Sequence, residues 1–327
     1  MLLKKEYTCV KKDKIIIIIL QLLIIIMLNN NNNVNAKKEE VKMINIMFWN
    51  IFEGGQSKMK NIKHYIQQQD IVTFSELNHW NEETFHEYFK DTHPYTIFLK
   101  TKTGYHLGCI SKQPIEEIKK SNEIPMHHGY IYFQSYNYNI LLTHLSPHSS
   151  VVRLKEVQHL NALTRKYNVT TDKQLPLLMM GDMNTLSTVD KYEENVISKL
   201  FNNKLTRRKF FNNNNNDDDK TPDYAPYKYI INNNNMYDTG TSNDYTVPTP
   251  VNTDFMHAAK LRLDYIFCSN TFYLNNNNDN DKRSHDDVMI HSIVHKNNVV
   301  EKLSDHYPIS ISLPLHDNRI ESYKSDL

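Results

Sequence analysis

The sequence predicts an α/β (α+β) four-layer sandwich, with two mostly antiparallel β-sheets packed face to face and helices outside. Three observations predict it. Short apolar runs rich in Val, Ile, Phe and Tyr recur from Val41 to Leu315. Fewer segments carry apolar residues at helical spacing, and these are scattered among the strand-like runs. Several runs are separated by so few residues that hairpins must join them.

Taken in order, KMINIMFWNIF (Lys42 to Phe52) reads as a strand, and Lys58 to Gln69 as a helix with Met59, Ile62 and Ile66 on one face. Asp70 to Leu77 (DIVTFSEL) is β-branched and strand-like, and Asn81 is placed to cap a short helix running to about Lys90. YTIFLK, YHLGCIS, GYIYFQSY and YNILLTHL follow as strands, the last two divided at Asn137. Ser150 to Tyr167 is the longest helix expected, with Val152, Val157, Leu160 and Leu163 as its apolar stripe. LPLLMM (Leu175 to Met180) is a strand that Gly181 interrupts, and a further helix spans about Lys191 to Phe201. LRLDYIFCS, VMIHSIVH and YPISISLPL close the chain as strands. Thr221 to Phe255, with Tyr224, Tyr227, Tyr229, Tyr237 and Tyr245, is either a surface for stacking on a ring or lipid or a loop pinned to the sheet by its tyrosines. It leads through PTPVNTDFMHAAK into RLDYIF, so it should border any site built there.

Residues 1–36 are set apart. Five lysines lead into Ile15 to Leu28, an apolar run too short for the ~20 residues that span a bilayer. Val34-Asn35-Ala36 then offers small residues for cleavage, so a secretory signal is expected, with an uncleaved signal anchor as the alternative. The remaining 37–327 form one domain, interrupted by asparagine-rich insertions near 212–219, 232–235 and 275–281 that read as surface loops. Removing residues 1–36 leaves 33 basic and 35 acidic residues, about −2, so charge gives no support for processive binding to a polyanion. Cys109 and Cys268 lack metal-ligand spacing and are either buried thiols or an extracellular disulfide. Asn168-Val169-Thr170 is a glycosylation sequon, meaningful only for an exported chain.

The chemistry lies at strand ends. In MGDMN, Asp182 and Asn184 are expected to leave the sheet edge on one side, since alternate strand residues share a face. Asn50 in FWN, Glu76 in FSEL, His144 in THL, Asp264 in LDY and Asp305-His306 in SDH each sit at or just past an apolar strand. Singly each has a bland reading, as a turn former, a surface acid, a structural histidine or a backbone cap. Together they offer what phosphodiester hydrolysis needs: oxygen ligands suited to Mg²⁺ or Mn²⁺, and two imidazoles that transfer protons near neutral pH. Asp264 could fix the tautomer of one imidazole. Arg262 lies close enough in sequence to contact phosphate, or else pairs with an acid. His106, His127, His128 and His148 have no comparable placement and are expected on the rim or surface.

In this order, from FWNIFEGG at Phe48 to SDHYPISIS at Ser304, and with YHLGCISKQPIEEI at Tyr105 to Ile118, the segments resemble the endonuclease/exonuclease/phosphatase (DNase I-like) superfamily. The resemblance implies a Mg²⁺-dependent (or Mn²⁺-dependent) phosphoesterase, and the two histidines, which supply leaving-group protonation, favour a diester over a monoester. It also implies the roles. Glu76 holds the metal with Asn50 and Asp305 close by, and Asp182 and Asn184 face the scissile phosphate. His306, oriented by Asp264, is general base or phosphate ligand, and His144 is the candidate general acid. A DNase I-like endonuclease and a neutral sphingomyelinase-like phospholipid diesterase are both open, whereas the THL segment departs from the tyrosine-containing apurinic endonucleases. The lysine-rich loop of inositol polyphosphate 5-phosphatases is not found. A monomer without an obligate protein partner is expected. A non-catalytic binding protein retaining the fold is the alternative of another class, and none of the six segments is degraded as it would require.

Overall fold

The structure is a computed structural model that describes residues 42–168, 175–211, 220–242, 244–253, 257, 259–269 and 290–315. The chain divides into two units, Met1–Lys42 and Met43–Leu327. The expected signal segment 1–36 and the asparagine-rich stretches 212–219 and 275–281 lie outside the described residues, and the sequon at 168–170 runs past them. Among the described residues no helix is long and apolar enough to cross a membrane.

Among the described residues, twelve strands and six α-helices appear in the order β1 (Met43–Asn50), α1 (Met59–Ile66), β2 (Ile71–Ser75), α2 (Glu82–Phe89), β3 (Tyr95–Leu99), β4 (Leu107–Ser111), β5 (Glu116–Ser121), β6 (Tyr130–Ser135), β7 (Tyr138–His144), α3 (Ser150–Asn168), β8 (Leu177–Asp182), α4 (Glu194–Asn202), α5 (Lys204–Phe210), α6 (Ala225–Asn233), β9 (Met236–Asp238), β10 (Asp264–Ser269), β11 (Ile293–Val294) and β12 (Ile309–Pro314). They form two six-stranded sheets, ordered β11-β12-β1-β2-β4-β3 and β5-β6-β7-β8-β10-β9. Each sheet has a single parallel pair, β1 with β2 and β7 with β8, and the remaining pairs are antiparallel. The expected four-layer sandwich is the observed fold.

Parity along the strands builds the layers. On β1, Ile44, Ile46 and Phe48 enter the core between the sheets, while Met47 and Trp49 pack beneath α1 and α2 with Ile62, Ile66, Phe85 and Phe89. Burial on both faces is why this strand reads as an unbroken apolar run rather than an alternating one. The second sheet repeats the arrangement: Leu178 and Met180 of β8 face inward, and Leu177 and Met179 pack outward with Val157 and Leu160 of α3 and Tyr227 of α6. Each such side chain contributes about 1.5–3 kcal/mol by leaving water. Asn81 caps α2 as expected, accepting from Thr84 N at 2.9 Å in a reciprocal capping box. Cys109 and Cys268 are both free thiols buried in the core between the sheets, so the buried-thiol reading holds.

Several expectations are corrected. Gly181 does not end its strand; β8 runs through it to Asp182. A Cβ at Gly181, where φ is 152°, would run into the carbonyl of Thr143, its partner in the parallel β7–β8 pair. Only glycine allows that approach. Thr221 to Phe255 is not a plain loop, since it contains α6 and β9, although Tyr227 does pin α6 through contacts with Tyr265 and Phe267 and a 3.0 Å hydrogen bond to Asp238. The asparagine run 232–235 closes α6 rather than forming an insertion, and Asn235 takes the left-handed φ of 53° that asparagine tolerates. Val152 of α3 is 38% exposed, and the buried face of the first turns belongs to Arg153 and Glu156. The edge strand β5, made of EEIKKS, carried too little apolar signal to be expected and suits an edge because it is charged.

Candidate functional site

The same parity that fills the core aims four polar side chains at one end of it. Asn50 continues the inward face of Ile44, Ile46 and Phe48; His144 follows Ile140 and Leu142; Asp182 follows Leu178 and Met180; and Asp264 precedes Ile266 and Cys268. Pairing places three of them abreast, with His144 opposite Asp182 across β7–β8 and Asp182 opposite Asp264 across β8–β10. Asn50 meets them from the other sheet.

The Asp182 carboxylate is the meeting point. Its Oδ2 lies 3.3 Å from Asn50 Nδ2, 3.5 Å from His144 Nε2 and 4.0 Å from His306 Nε2. Asn50 Nδ2 also donates to Glu76 Oε1 at 2.9 Å, so one amide bridges two carboxylates. Glu76 sits just past β2 with a left-handed φ of 59°, and its carbonyl accepts from Gly54 N at 2.6 Å. His306 Nδ1 lies 2.8 Å from Asp264 Oδ2, and Asp264 N donates to Thr246 Oγ1 at 3.2 Å. Ser304 Oγ donates to the Asn50 carbonyl at 2.7 Å and accepts from His306 N at 3.2 Å, tying the SDH segment to the end of β1. Asn50, His144, Asp182, Asp264, Asp305 and His306 are all buried.

Electrostatics separate the two imidazoles. Burial pulls the His306 ring down, but Asp264, Asp305 and Asp182 outweigh it and hold it up at about 10. Burial takes the His144 ring well below its ordinary value, and the charges of His306 and Lys209 add to that. His306 is therefore the charged ring and His144 the neutral one. Burial, then the Asp305 charge, push the Glu76 carboxyl up to about 7, although an edge of that side chain still reaches solvent. Burial works against charge on Asp305 as well, and there His306 and His257 outweigh it and keep the carboxyl below its ordinary value.

Among the described residues, three groups of side chains bring their ligand atoms within 4.8 Å of one another: Glu76, His144 and Asp182; Asp182, Asp264 and His306; and His257, Asp305 and His306. The donor set fits a divalent cation, since the charges of Asp305 and Asp182 both raise the Glu76 carboxyl, and Asp264 Oδ1 is buried without a hydrogen-bond partner among the described residues.

Of the residues named from sequence, Asn50, Glu76, His144, Asp182, Asp264, Asp305 and His306 come together here. Asn184 adjoins them, but its φ of 50° means that the strand pleat does not set its direction. Its backbone N–H donates to Asp182 Oδ1 at 2.9 Å and its Nδ2 to the Leu145 carbonyl at 2.9 Å. Arg262 is corrected as a substrate contact. Its guanidinium is buried against Asp190 at 3.0 Å and Asp238 at 2.7 Å, so it pairs with acids and braces the sheet edge. Gly240 admits it, because a Cβ there would meet Arg262 Nη1. The expectation that the loop before LDY borders the site holds, since Thr246 bonds Asp264 and Thr249 N donates to the Asp305 carbonyl at 3.1 Å.

Sequence reasoning missed two histidines. His257 lies 3.5 Å from Asp305 Oδ2, with its ring edge-on to His306 at 5.0 Å. Its signal was its place in the loop leading into LDY. His128, expected on the rim, is buried and stacks on His144 with ring centroids 4.2 Å apart; His106 is buried too. Nothing in the local pattern of MHHGYIYF distinguishes a buried imidazole from an exposed one.

A family model described as Endonuclease/Exonuclease/phosphatase family matches residues 47–306. None of the curated proteins matches the chain. Among solved structures, a 3′-5′ exonuclease from Neisseria meningitidis superposes with a TM-score of 0.55 at 14% identity, covering 82% of this chain and 98% of that one. A 3′ phosphatase from Neisseria bound to product DNA hairpin gives 0.54 at 13% identity, covering 82% and 98%. An AP endonuclease from Archaeoglobus fulgidus gives 0.52 at 17% identity, covering 83% and 99%. At these identities the likeness is one of fold. The model match spans both ends of the Asp182 cluster, from β1 to the SDH segment, and on that span the chain belongs to the endonuclease/exonuclease/phosphatase family.

Proposed function

We propose that the chain is a divalent-metal-dependent phosphoesterase that cleaves a phosphodiester by in-line attack of water. The observation that carries the reading is the convergence of one amide and two imidazoles on the Asp182 carboxylate, beside further buried acids. Glu76, Asn50 and Asp305 would hold Mg²⁺ or Mn²⁺, which when bound supplies positive charge to the phosphate oxygens and to the incoming water. Asp182 orients the water, and Asn184 keeps that carboxylate in place through its backbone N–H. His306, fixed by Asp264 and charged, contacts the phosphate and has the proton for the leaving oxygen, while His144, neutral and 3.5 Å from the Asp182 oxygen, is suited to accept from the water rather than to be the general acid expected from the sequence. Two imidazoles favour a diester, whose leaving alkoxide needs a proton.

The neighbouring structures include an exonuclease and a DNA 3′ phosphatase, which supports a nucleic acid among the candidate phosphate esters; phospholipids and sugar phosphates are the others. Asp182→Asn should reduce hydrolysis of bis(p-nitrophenyl) phosphate in Mg²⁺ by about 10³-fold or more at an unchanged thermal midpoint; undiminished turnover would overturn the mechanism. EDTA should abolish activity and Mn²⁺ restore it, and a panel of DNA, sphingomyelin and sugar phosphates assigns the ester. The leader 1–36 supports export, which the N-terminal residue of the protein recovered from medium would check.

A further inference from the structure

His306 and His144 face the same Asp182 oxygen, but only His306 is held by a hydrogen bond at its far nitrogen, 2.8 Å from Asp264. His144 Nδ1 is buried and has no hydrogen-bond partner among the described residues. Rotation of an imidazole about its second side-chain torsion is broad and roughly two-fold, so packing must choose its plane. What packs on it is His128, whose ring lies 23° from parallel with centroids 4.2 Å apart. His128 is itself anchored. Its Nδ1 is 2.8 Å from Thr103 Oγ1, which is 3.2 Å from Thr101 Oγ1, and Thr101 N donates to His106 Nδ1 at 3.0 Å. Tyr105 stands edge-on to both rings, at 5.2 Å from His128 and 6.4 Å from His144. Glu156 Oε1 accepts from His127 N at 2.7 Å while Glu156 Oε2 accepts from Ser146 N at 2.8 Å, so one carboxylate ties the loop that carries His128 to the loop that follows His144 at the end of β7.

We propose that His128 is a positioning residue for His144, its ring acting as the stacking platform that fixes the plane of the His144 imidazole against Asp182. The inference rests on the role given to His144 under the proposed function. His128 does for His144 by ring contact what Asp264 does for His306 by hydrogen bond.

The test is steady-state hydrolysis of bis(p-nitrophenyl) phosphate in Mg²⁺ by His128→Ala, His128→Phe and His128→Asn. His128→Ala should lower kcat about 10- to 100-fold, the scale of a misplaced reacting group, with KM changed less than about two-fold. His128→Phe keeps a ring and should return kcat to within about three-fold of the parent, whereas His128→Asn keeps a polar partner for Thr103 without a ring and should stay low. In a His144→Ala background, His128→Ala should add less than about two-fold, because the two act as one unit. A readout independent of turnover is the ¹⁵N imidazole spectrum of metal-free protein, in which the His144 signals should move or broaden in His128→Asn and not in His128→Phe. If His128→Ala does not fold, the Phe and Asn variants carry the same contrast. The proposal is overturned if His128→Phe is as impaired as His128→Asn, or if His128→Ala costs as much in the His144→Ala background as in the parent. If His144→Ala alone leaves kcat unchanged, the underlying reading of His144 falls, and that single variant tells the two failures apart.

Discussion

The His306 side and the His144 side of the site are built from different physics. On one side a buried carboxylate, Asp264, sits 2.8 Å from the ring, orients it and holds its charge. On the other a second imidazole, His128, stacks at 4.2 Å, which orients the ring without adding opposite charge. Both rings reach within 4.0 Å of the same Asp182 oxygen, yet one is raised to about 10 and the other is taken well below its ordinary value. Two groups of one chemical type are thus driven apart by their surroundings, which is how a single site comes to hold a charged and a neutral imidazole together. A carboxylate partner gives orientation and charge at once; a stacked ring gives orientation alone.

The largest expected break in this comparison is Asp264→Asn. The amide occupies the same space but cannot hold the imidazolium or its tautomer, and kcat should fall by about 10³–10⁴-fold, as read by hydrolysis in Mg²⁺. A loss under about tenfold would mean that the carboxylate side is no better organised than the stacked side. Gly181→Ala attacks the strand spacing that puts His144 abreast of Asp182. It should destabilise the protein by about 4 kcal/mol or more, measured by urea unfolding, because the added methyl meets backbone rather than a movable side chain.

A finer test concerns pH. Burial raises the Glu156 carboxyl, which ties the two loops of the His144 side, from 4.5 to about 7. The unfolded chain gives up this proton near its ordinary value while the folded one keeps it, so between about pH 4.5 and 7 the contribution of Glu156 to stability falls as pH rises and then levels. The contribution over that window is about 3 kcal/mol. Glu76 is raised to the same level with the same sign, whereas His144 and His128, lowered by burial, act in the opposite sense below their ordinary value, so the Glu156 contribution is read as the difference between Glu156→Gln and the parent across that window in EDTA. A slope unchanged by Glu156→Gln would place the titration elsewhere.

Much of this was legible because strand parity is a local property. Once β1, β7, β8 and β10 were read as strands, Asn50, His144, Asp182 and Asp264 had to lie at one rim of the inward face. The capping residue Asn81 and the helix after it followed from hydrogen-bond chemistry within four residues. Where reading failed, the deciding contact was distant. Gly181 looked like a strand breaker, and only the parallel partner Thr143 shows why glycine is needed inside the strand. Arg262 looked available until Asp190 and Asp238, 72 and 24 residues away, closed around it.

By itself, then, the sequence determined the layered architecture, most of the strands and the polar residues set at their ends, because apolar period and residue type act over a few residues. Tertiary structure alone decided which histidines are buried, which ring stacks on which, and which imidazole carries charge. Those outcomes depend on burial and on charges brought from strands and loops far apart in the chain, and desolvation and Coulomb energy are set by distance in space rather than along the sequence.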